Sequence, residues 1–286
     1  MLTFLFRWLG RWPLPALHAA GALAGLLTYW SSGRYRRRIA ENMAQALGRP
    51  ATRRERWTVA RETGKQILEM PFVWLRPMDD VIAKVVQVDG LERLRAHVEA
   101  GRPVLALTPH LGCFEITSLY VGITQPVTIM YRPPKQRVLE PFLRQGRQRG
   151  LVDMVPADLS GVRRFIKELR ACHMVGLLPD QAPGVGEGIW SPFFGRPAYT
   201  MTLAARLSEV GKTQVLFFWG ERLPRGRGWR LRVIEPTEPI EGSLEERVHA
   251  INRELERVIM KSPSQYLWGY NRYKVPAGAP RPEAAQ

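Results

Sequence analysis

The sequence predicts an α/β domain with a mostly parallel central sheet flanked by helices. Short apolar runs recur from residue 104 onward, and each has the length of a strand that is buried on both faces. Segments with helical spacing separate these runs, as in βαβ units. The 286 residues are 45% hydrophobic, which suffices for one sizeable core and excludes low-complexity disorder.

The N-terminal segment is predicted to be a membrane helix. Residues 13–30 contain no Asp, Glu, Lys or Arg, and these 18 residues span about 27 Å as a helix, close to the ~30 Å hydrocarbon core. Four aromatic residues flank it as interfacial side chains would: Trp8, Trp12, Tyr29 and Trp30. Arg34, Arg36, Arg37 and Arg38 follow it, whereas only Arg7 and Arg11 precede it. This bias places the rest of the chain in the cytoplasm. A buried hairpin and a helix in the membrane plane are the alternatives.

A helical lead-in is expected between this helix and the sheet. Residues 35–47 have helical spacing and stop at Gly48-Arg49-Pro50. Thr52 and Glu55 form a capping box that begins a second helix, expected to end at Pro71. The chain therefore divides into an anchor (1–33), a globular domain (34–275) and a mobile tail rich in Pro, Gly and Ala (276–286). Within the domain, residues 34–100 are the lead-in and residues 101–275 the α/β core.

The core is predicted to alternate strands with helices. The strands are expected at 104–108, 127–131, 151–155, 174–178 and 214–219. Helices are expected at 138–148, 161–169 and 199–210. Ser243 with Glu246 caps a last amphipathic helix that runs towards Met260.

Composition excludes several classes of protein. The chain has 42 Lys+Arg and 26 Asp+Glu, a net charge of +16, and this basic surface suits phosphate groups of lipids or of nucleic acids. Two cysteines, Cys113 and Cys172, are too few for a disulfide scaffold. The five histidines are scattered without zinc-ligand spacing, so neither a metal nor a cofactor is expected. The sequence contains no phosphate-binding P-loop motif and no Gly-x-Ser-x-Gly.

The candidate chemistry follows the first predicted core strand. His110 and Glu115 lie in the run Thr108-Pro109-His110-Leu111-Gly112-Cys113-Phe114-Glu115. Ligands of open α/β sheets bind beyond the carboxyl ends of strands, which is where His110 falls. With His110 in the turn and Glu115 in the first turns of a helix, the carboxylate is expected to orient the imidazole as a general base. A chance His–Glu spacing is the alternative, as is a Cys113–His110 nucleophile, which the spacing disfavours.

This run resembles the His-x4-acidic motif of the glycerolipid acyltransferase superfamily. Further blocks resemble one branch, the lipid A late acyltransferases that add lauroyl or myristoyl groups. These blocks are Arg38-Ile39-Ala40-Glu41-Asn42, Tyr131-Arg132-Pro133-Pro134-Lys135, Gly146-Arg147-x-Arg149, Pro179-Asp180-Gln181, Gly188 to Gly195, and Gln265-Tyr266-Leu267-Trp268 with Arg272-Tyr273-Lys274. They cover nearly the whole chain in order. Pro109 stands where the family commonly has Asn before the histidine.

The resemblance implies an acyltransferase that acts in lipopolysaccharide biosynthesis. The implied donor is a fatty acyl thioester on acyl carrier protein, and the implied acceptor is a hydroxyl of a lipid A precursor. His110 and Glu115 are then the catalytic pair, and Arg132, Arg147, Arg149 and Asp180 bind substrate. The implied location is the cytoplasmic face of the bacterial inner membrane, against anionic lipids. Backbone N–H groups near Gly112, or a basic side chain, are expected to stabilise the oxyanion.

Several of these residues also have a plainer role to weigh. Arg132, Lys135 and Arg137 follow a predicted strand and could bind phosphate groups, but Lys135 and Arg137 equally suit a solvated basic loop. Arg147 suits a favourable interaction with a helix dipole, and Asp180 an Asx turn. Two other functions remain as alternatives. One is an acyltransferase of the same superfamily that acts on a lysophospholipid or another glycolipid, from acyl-CoA or acyl carrier protein. The other is a non-enzymatic binder of membranes or nucleic acid, which explains the charge and not the motifs; we expect no nucleic-acid partner.

Overall fold

A seven-stranded sheet forms the centre of the protein, in a computed structural model that describes residues 2–134 and 136–279. Its strand order is β1-β9-β8-β2-β5-β3-β4, and β6 and β7 form a separate hairpin. The strands are β1 Val85–Asp89, β2 Val104–Leu107, β3 Val127–Tyr131, β4 Val152–Pro156, β5 Met174–Leu177, β6 Gly188–Phe193, β7 Arg196–Met201, β8 Gln214–Arg222 and β9 Trp229–Ile234. The predicted class, an α/β domain with a mostly parallel sheet and flanking helices, is confirmed.

Helices pack on both faces of the sheet and form the N-terminal segment. They are α1 Leu2–Gly10, α2 Leu14–Ser31, α3 Gly33–Leu47, α4 Arg53–Leu75, α5 Met78–Ile82, α6 Leu91–Glu99, α7 Glu115–Val121, α8 Glu140–Arg147, α9 Leu159–Arg170, α10 Leu203–Leu207 and α11 Leu244–Ile259. Two clusters of buried apolar side chains result. One contains Leu105, Leu107 and Phe217, and the other contains Val104, Ala106 and Phe218, because alternate residues of a strand point to opposite faces.

Five neighbouring strands of the sheet run parallel to one another, in the spatial order β4-β3-β5-β2-β8. Every residue of β2 and of β5 is buried, which explains why short continuous apolar runs predict these two strands. Strand β9 returns antiparallel to β8, and β1 pairs parallel to β9 at the sheet edge. The sequence pattern predicts neither of these two strands.

The segment 199–210 was predicted to be a helix, and this prediction is wrong for its first part. Residues 199–201 complete β7, where Tyr199 and Thr200 pair with Trp190 and Ile189 of β6. Only Leu203–Leu207 is helical. The partner residues lie nine and eleven residues upstream on β6, and their hydrogen bonds override the local helical spacing.

The predicted membrane helix corresponds to α2, and one face of α2 is buried against α4. Leu17 of α2 is fully buried, and the backbones of the two helices are in close contact at Gly21 and Gly64. A Cβ on Gly64 would lie 1.9 Å from the Gly21 carbonyl oxygen, so only glycine fits there. Among the described residues, no helix has the length and apolar character required to cross a bilayer. The helix predicted to be the membrane anchor has one face packed on the domain.

Helix α4 begins at the predicted capping box but does not end at Pro71. Thr52 and Glu55 form both hydrogen bonds of the box, and the helix continues through Pro71 to Leu75. Beyond the proline, Phe72, Val73 and Trp74 are buried. Burial of these side chains compensates for the hydrogen bond that proline cannot donate.

A buried ionic network joins α2, α4 and β8 behind the candidate site. The Glu69 carboxylate accepts hydrogen bonds from Nε2 of His18 at 3.0 Å, from Nε of Arg222 at 3.0 Å and from the Trp229 indole at 3.1 Å. Arg222 also pairs with Glu62 at 2.9 Å. Burial raises the pKa of Glu69, but the charges and hydrogen bonds of Arg222 and His18 outweigh it and lower the pKa to about 2. The carboxylate is thus ionised and fully paired.

Candidate active site

His110 and Asp180 occupy equivalent positions after two adjacent parallel strands. Leu107, the last residue of β2, lies opposite Leu177, the last residue of β5. His110 and Asp180 each follow three residues after these strand ends. The Nδ1 atom of His110 lies 2.7 Å from Oδ1 of Asp180. The backbone N–H of His110 donates to Oδ2 of the same carboxylate at 2.9 Å. Asp180 therefore fixes both the ring and the backbone of His110.

The electrostatics of this pair favour one tautomer of the imidazole. Burial raises the pKa of the Asp180 carboxyl, but the charge and hydrogen bonds of His110 outweigh it, so the pKa lies below its ordinary value. An ionised carboxylate can only accept, so Nδ1 of His110 carries the proton that it donates. Nε2 is then the unprotonated nitrogen, and the Gln181 amide lies 3.1 Å from it. An imidazole held in this way can remove a proton from a hydroxyl group.

The structure differs from the expected contact between Glu115 and His110. Glu115 lies at the start of α7, where its carboxylate binds both Nε, at 2.8 Å, and Nη2 of Arg147. The two side chains are nearly buried, and Asp180 takes the position beside the imidazole. The chain turns between His110 and α7, so the Glu115 side chain, five residues later, points away from His110. The register of β2 with β5 instead places Asp180 beside the imidazole.

The charge and hydrogen bonds of Glu115 hold Arg147 in its ionised form. Burial lowers the pKa of the Arg147 guanidinium, but Glu115 more than compensates and raises it above the ordinary value. The bidentate pair uses Nε and Nη2, and Nη1 of Arg147 makes no hydrogen bond with any described residue. Arg147 also lines the cavity next to His110. A fixed, partly unused guanidinium is thus available to a negatively charged group there.

Glycines hold the loop between His110 and α7 against β8. Gly112 has φ +59°, and a Cβ on it would lie 2.0 Å from the carbonyl oxygen of Gly220. The Gly112 N–H donates to the Gln265 carbonyl at 3.1 Å, and the Cys113 N–H donates to the Gly220 carbonyl at 2.7 Å. Both N–H groups already donate to carbonyl oxygens of the protein. They are therefore not free to stabilise an oxyanion, contrary to the expectation for N–H groups near Gly112. Burial raises the pKa of the Cys113 thiol well above its ordinary value, which opposes a nucleophilic thiolate.

A cavity of about 670 Å³ opens beside His110. Apolar side chains from β3, β5, β7, α9 and α10 form much of its wall, including Met130, Leu159, Val162, Leu177, Met201 and Leu203. A second, narrower cavity of about 40 Å³ borders on Phe114, Met130, Arg147 and Leu177 of this wall. It reaches into the layer between the sheet and α7, where Ala106 and Gly176 leave space. The site thus combines a basic imidazole with room for long apolar groups.

The other predicted binding residues lie in different environments. Arg132 is exposed at the cavity and forms an ion pair with Glu187 at 3.3 Å. Arg149 does not line the cavity: its guanidinium donates to the carbonyl oxygens of Gly146, Arg76 and Val73 at 2.7, 2.7 and 2.6 Å. Since Val73 and Arg76 are at the C-terminal end of α4, Arg149 caps that helix. Its predicted role in substrate binding has no support in this geometry.

Arg149→Ala is expected to reduce stability and leave substrate binding unchanged. Removal of three charge-assisted hydrogen bonds to carbonyl groups should lower the free energy of unfolding by about 2 kcal/mol. Denaturant unfolding and the KM for the substrate measure the two effects. Arg170→Ala, a change at an exposed arginine at the end of α9, is the control. A large rise in KM with unchanged stability would contradict the capping role.

Several residues behind the site were not singled out from their chemistry. Arg272 is buried and donates to the Tyr199 carbonyl at 2.8 Å and to the Thr200 hydroxyl at 2.7 Å. The Tyr270 hydroxyl accepts from the N–H of Ala182 at 3.1 Å, just after Gln181. The only sequence signal for Tyr270 and Arg272 is that they lie in or beside the family-like block at 265–274. Their position in the chain does not predict that they pack against the loop that contains Asp180 and Gln181. Among the described residues, no cluster of His, Cys, Asp and Glu could hold a metal ion.

An imidazole–carboxylate pair at the ends of parallel strands, beside a cavity with apolar walls, is typical of enzymes that use a general base on a partly apolar substrate. Residues 2–275 match the family model of the bacterial lipid A biosynthesis acyltransferases, so the chain belongs to that family and is an acyltransferase. The predicted family is confirmed.

Three curated relatives have similar sequences over much of their length. The lipid A biosynthesis lauroyltransferase of Escherichia coli (strain K12) is 25% identical over 94% of this chain and 89% of its own. The lipid A biosynthesis palmitoleoyltransferase of the same organism is 26% identical over 75% of this chain and 69% of its own. A lipid A biosynthesis acyltransferase of Haemophilus influenzae is 26% identical over 92% of this chain and 85% of its own.

Proposed function

We propose that this protein transfers a fatty acyl chain from acyl carrier protein to a hydroxyl group of a lipid A precursor. The observation that carries the proposal is the His110–Asp180 pair, whose imidazole faces the 670 Å³ cavity. This reaction is the secondary acylation of lipid A, and it would take place at the cytoplasmic face of the inner membrane. A lipid A precursor as acceptor agrees with the names of the relatives.

His110 acts as the general base in this proposal, with Asp180 in the orienting role first assigned to Glu115. Nε2 takes the proton of the acceptor hydroxyl, which displaces the Gln181 amide from its position 3.1 Å away. The oxygen attacks the thioester carbonyl and forms the new C–O bond. Collapse of the tetrahedral intermediate breaks the C–S bond, and the imidazolium returns its proton to the departing thiolate. Asp180 stabilises the imidazolium between these steps.

Arg147 stabilises the developing oxyanion, with Glu115 as its positioning residue. Nη1 of Arg147 lies outside the bidentate pair, while Nε and Nη2 are fixed by Glu115. A donor that is already oriented costs no reorganisation in the transition state, which makes such groups effective. Both His110 and Arg147 line the same cavity, which supports their action on one reacting carbonyl.

The remaining walls suit the rest of the two substrates. The 670 Å³ cavity suits an apolar acyl chain, because apolar side chains form much of its wall. Arg132 and Arg206 lie at the wide cavity and are exposed, so they suit phosphate groups of the lipid acceptor or of the donor's prosthetic arm. The net charge of +16 would also attract an acidic carrier protein.

Glu115→Gln is expected to reduce kcat about 100-fold, the size of effect seen when one oxyanion donor is lost. The amide no longer neutralises the guanidinium or fixes its two nitrogens, so Nη1 of Arg147 loses its orientation. Steady-state kinetics with a purified acceptor measure the loss, and KM should change little. Glu140→Gln on α8, which alters a weak ion pair at 3.4 Å, is the matched control. A variant with wild-type kcat would contradict the role of the pair.

The decisive experiment is mass spectrometry of lipid A from a host that lacks its own late acyltransferases and expresses this chain. A mass gain of one acyl chain, absent with His110→Ala, would support the proposal and identify the chain length. No gain from protein that is folded and abundant would contradict lipid A as the acceptor. Transfer from acyl-CoA to a lysophospholipid by the purified protein would then support the alternative acyltransferase.

A further inference from the structure

The side chain of Gln181 lies on the cavity side of the His110 imidazole. Its amide nitrogen is 3.1 Å from Nε2 of His110, and both residues line the 670 Å³ cavity. Because Nδ1 of His110 donates to Asp180, Nε2 accepts, and the Gln181 amide N–H is the donor. On the basis of the proposed function, we infer that Gln181 keeps water from Nε2 until the acceptor hydroxyl arrives. It thereby directs the acyl chain to the acceptor instead of to water.

Protein groups cover two other sides of the imidazole. Asp180 lies 2.7 Å from Nδ1, and the Phe114 ring packs edge-on against the imidazole with 5.0 Å between the ring centroids. The His110 side chain is still 19% exposed. Because His110 lines the cavity, solvent reaches Nε2 from there, which is the side that the Gln181 amide occupies.

The backbone on both sides of Gln181 is fixed, which sets the reach of its side chain. The preceding residue, Asp180, is buried and accepts from the His110 N–H at 2.9 Å. The following residue, Ala182, donates its N–H to the Tyr270 hydroxyl at 3.1 Å. The Gln181 side chain is itself partly exposed. It can therefore rotate away from Nε2 when a substrate enters, without movement of the loop.

A water molecule at Nε2 would react as the acceptor does. Nε2 would take one proton of the water, and the oxygen would attack the thioester carbonyl to form a C–O bond. The C–S bond would break as the imidazolium returned its proton to the thiolate, which gives a free fatty acid and a thiol. The Gln181 amide occupies the same lone pair without supplying a nucleophile, since its nitrogen lone pair is delocalised into its carbonyl group.

The acceptor can displace this amide more readily than water can. One neutral hydrogen bond changes an equilibrium constant by only about two- to tenfold. A lipid acceptor makes contacts elsewhere on the protein that compensate for this loss, whereas a water molecule makes none. Gln181 is thus a specificity-determining residue that favours a bound hydroxyl group over solvent.

Hydrolysis of an acyl thioester without acceptor tests the inference. Purified wild-type protein and Gln181→Ala are incubated with the lauroyl thioester of acyl carrier protein, and mass spectrometry measures the fatty acid released. Hydrolysis by Gln181→Ala should be at least about tenfold faster, since a general base contributes about 10²–10⁴-fold to the attack of water that reaches it. With the lipid acceptor present, the ratio of fatty acid released to chains transferred should rise at least about tenfold.

Three further variants make the test specific. Gln181→Asn keeps the amide on a side chain one carbon shorter, which no longer reaches Nε2 from the fixed backbone, so hydrolysis should rise as in Gln181→Ala. Gln125→Ala, at a partly exposed glutamine outside the cavity, is the matched control and should hydrolyse the thioester as wild type does. The double variant Gln181→Ala with His110→Ala should lose the added hydrolysis, because that hydrolysis requires Nε2. Circular dichroism checks that each variant folds.

Wild-type rates of hydrolysis by folded Gln181→Ala and Gln181→Asn would overturn the inference. A fall of hydrolysis and transfer together in these variants would also overturn it, since that result is expected when Gln181 only stabilises the loop. Failure of the proposed function gives a different result. A wild-type protein that transfers no chain to the lipid A precursor, with faster hydrolysis by Gln181→Ala, would contradict the acceptor and support the role of Gln181.

Discussion

His110→Ala is expected to reduce the rate of acyl transfer about 10³-fold, within the 10²–10⁴ range that general bases contribute. In the proposed mechanism Nε2 of His110 removes the hydroxyl proton, and no other described side chain presents an imidazole at the cavity. The fold should persist, because the imidazole is partly exposed and its removal leaves the loop held by Gly112 and Cys113. Single-turnover kinetics with a purified acceptor measure the chemical step directly.

A matched control is present on the same chain. His173 also pairs with a carboxylate, Nδ1 to Glu168 at 2.6 Å, but it lies outside the cavity. His173→Ala should therefore leave the transfer rate unchanged. If His110→Ala retained near-normal turnover, the assignment of the base would be wrong.

Asp180→Asn tests which carboxylate orients the imidazole. It should lower kcat nearly as much as His110→Ala, since an amide at that position no longer stabilises the imidazolium. The double variant His110→Ala with Asp180→Asn should be no slower than His110→Ala alone, because the two residues act as one unit. A double variant that is slower by the product of both single effects would show that Asp180 acts apart from His110.

Glu69→Gln is expected to lower the free energy of unfolding by about 3–5 kcal/mol, the loss that follows when a buried ion pair keeps only one of its charges. Arg222 would remain buried with its main partner removed, and α2 would lose the contact between His18 and Glu69. Denaturant unfolding measures the change. Glu238→Gln, which breaks an exposed pair with Arg253, should cost at most about 1 kcal/mol. Equal effects of the two substitutions would contradict the special cost of the buried charge.

The same network predicts how stability depends on pH. The pKa of Glu69 is about 2 in the folded protein and near 4.5 when unfolded, so the unfolded state binds more protons between these values. The stabilisation by Glu69 is therefore complete above pH ~5 and is lost as the pH falls towards 2. The free energy of unfolding of the wild-type protein, measured between pH 2 and pH 5, should rise with pH. In the double variant Glu69→Leu with Arg222→Met, which removes both charges, the free energy of unfolding should rise less steeply with pH.

Apolar runs and capping residues in the sequence determined the class of fold and several elements. Strand β3 has the predicted bounds of 127–131, and helices α4 and α11 begin at their predicted capping boxes. These features were predictable because burial of a short strand requires continuous apolar residues, and a helix start requires local hydrogen-bond acceptors. The position of His110 after β2 was likewise predicted, since it depends only on where the strand ends.

The tertiary structure decided which partners the charged groups have and what covers the apolar ones. Asp180 lies 70 residues from His110 in sequence, and only the β2–β5 register places them together, while Glu115 is turned towards Arg147. The uncharged stretch at 13–30 fits a membrane core or a protein core equally well, because both exclude water from apolar side chains. The glycine contacts of α2 with α4 show that the protein itself covers one face of this helix.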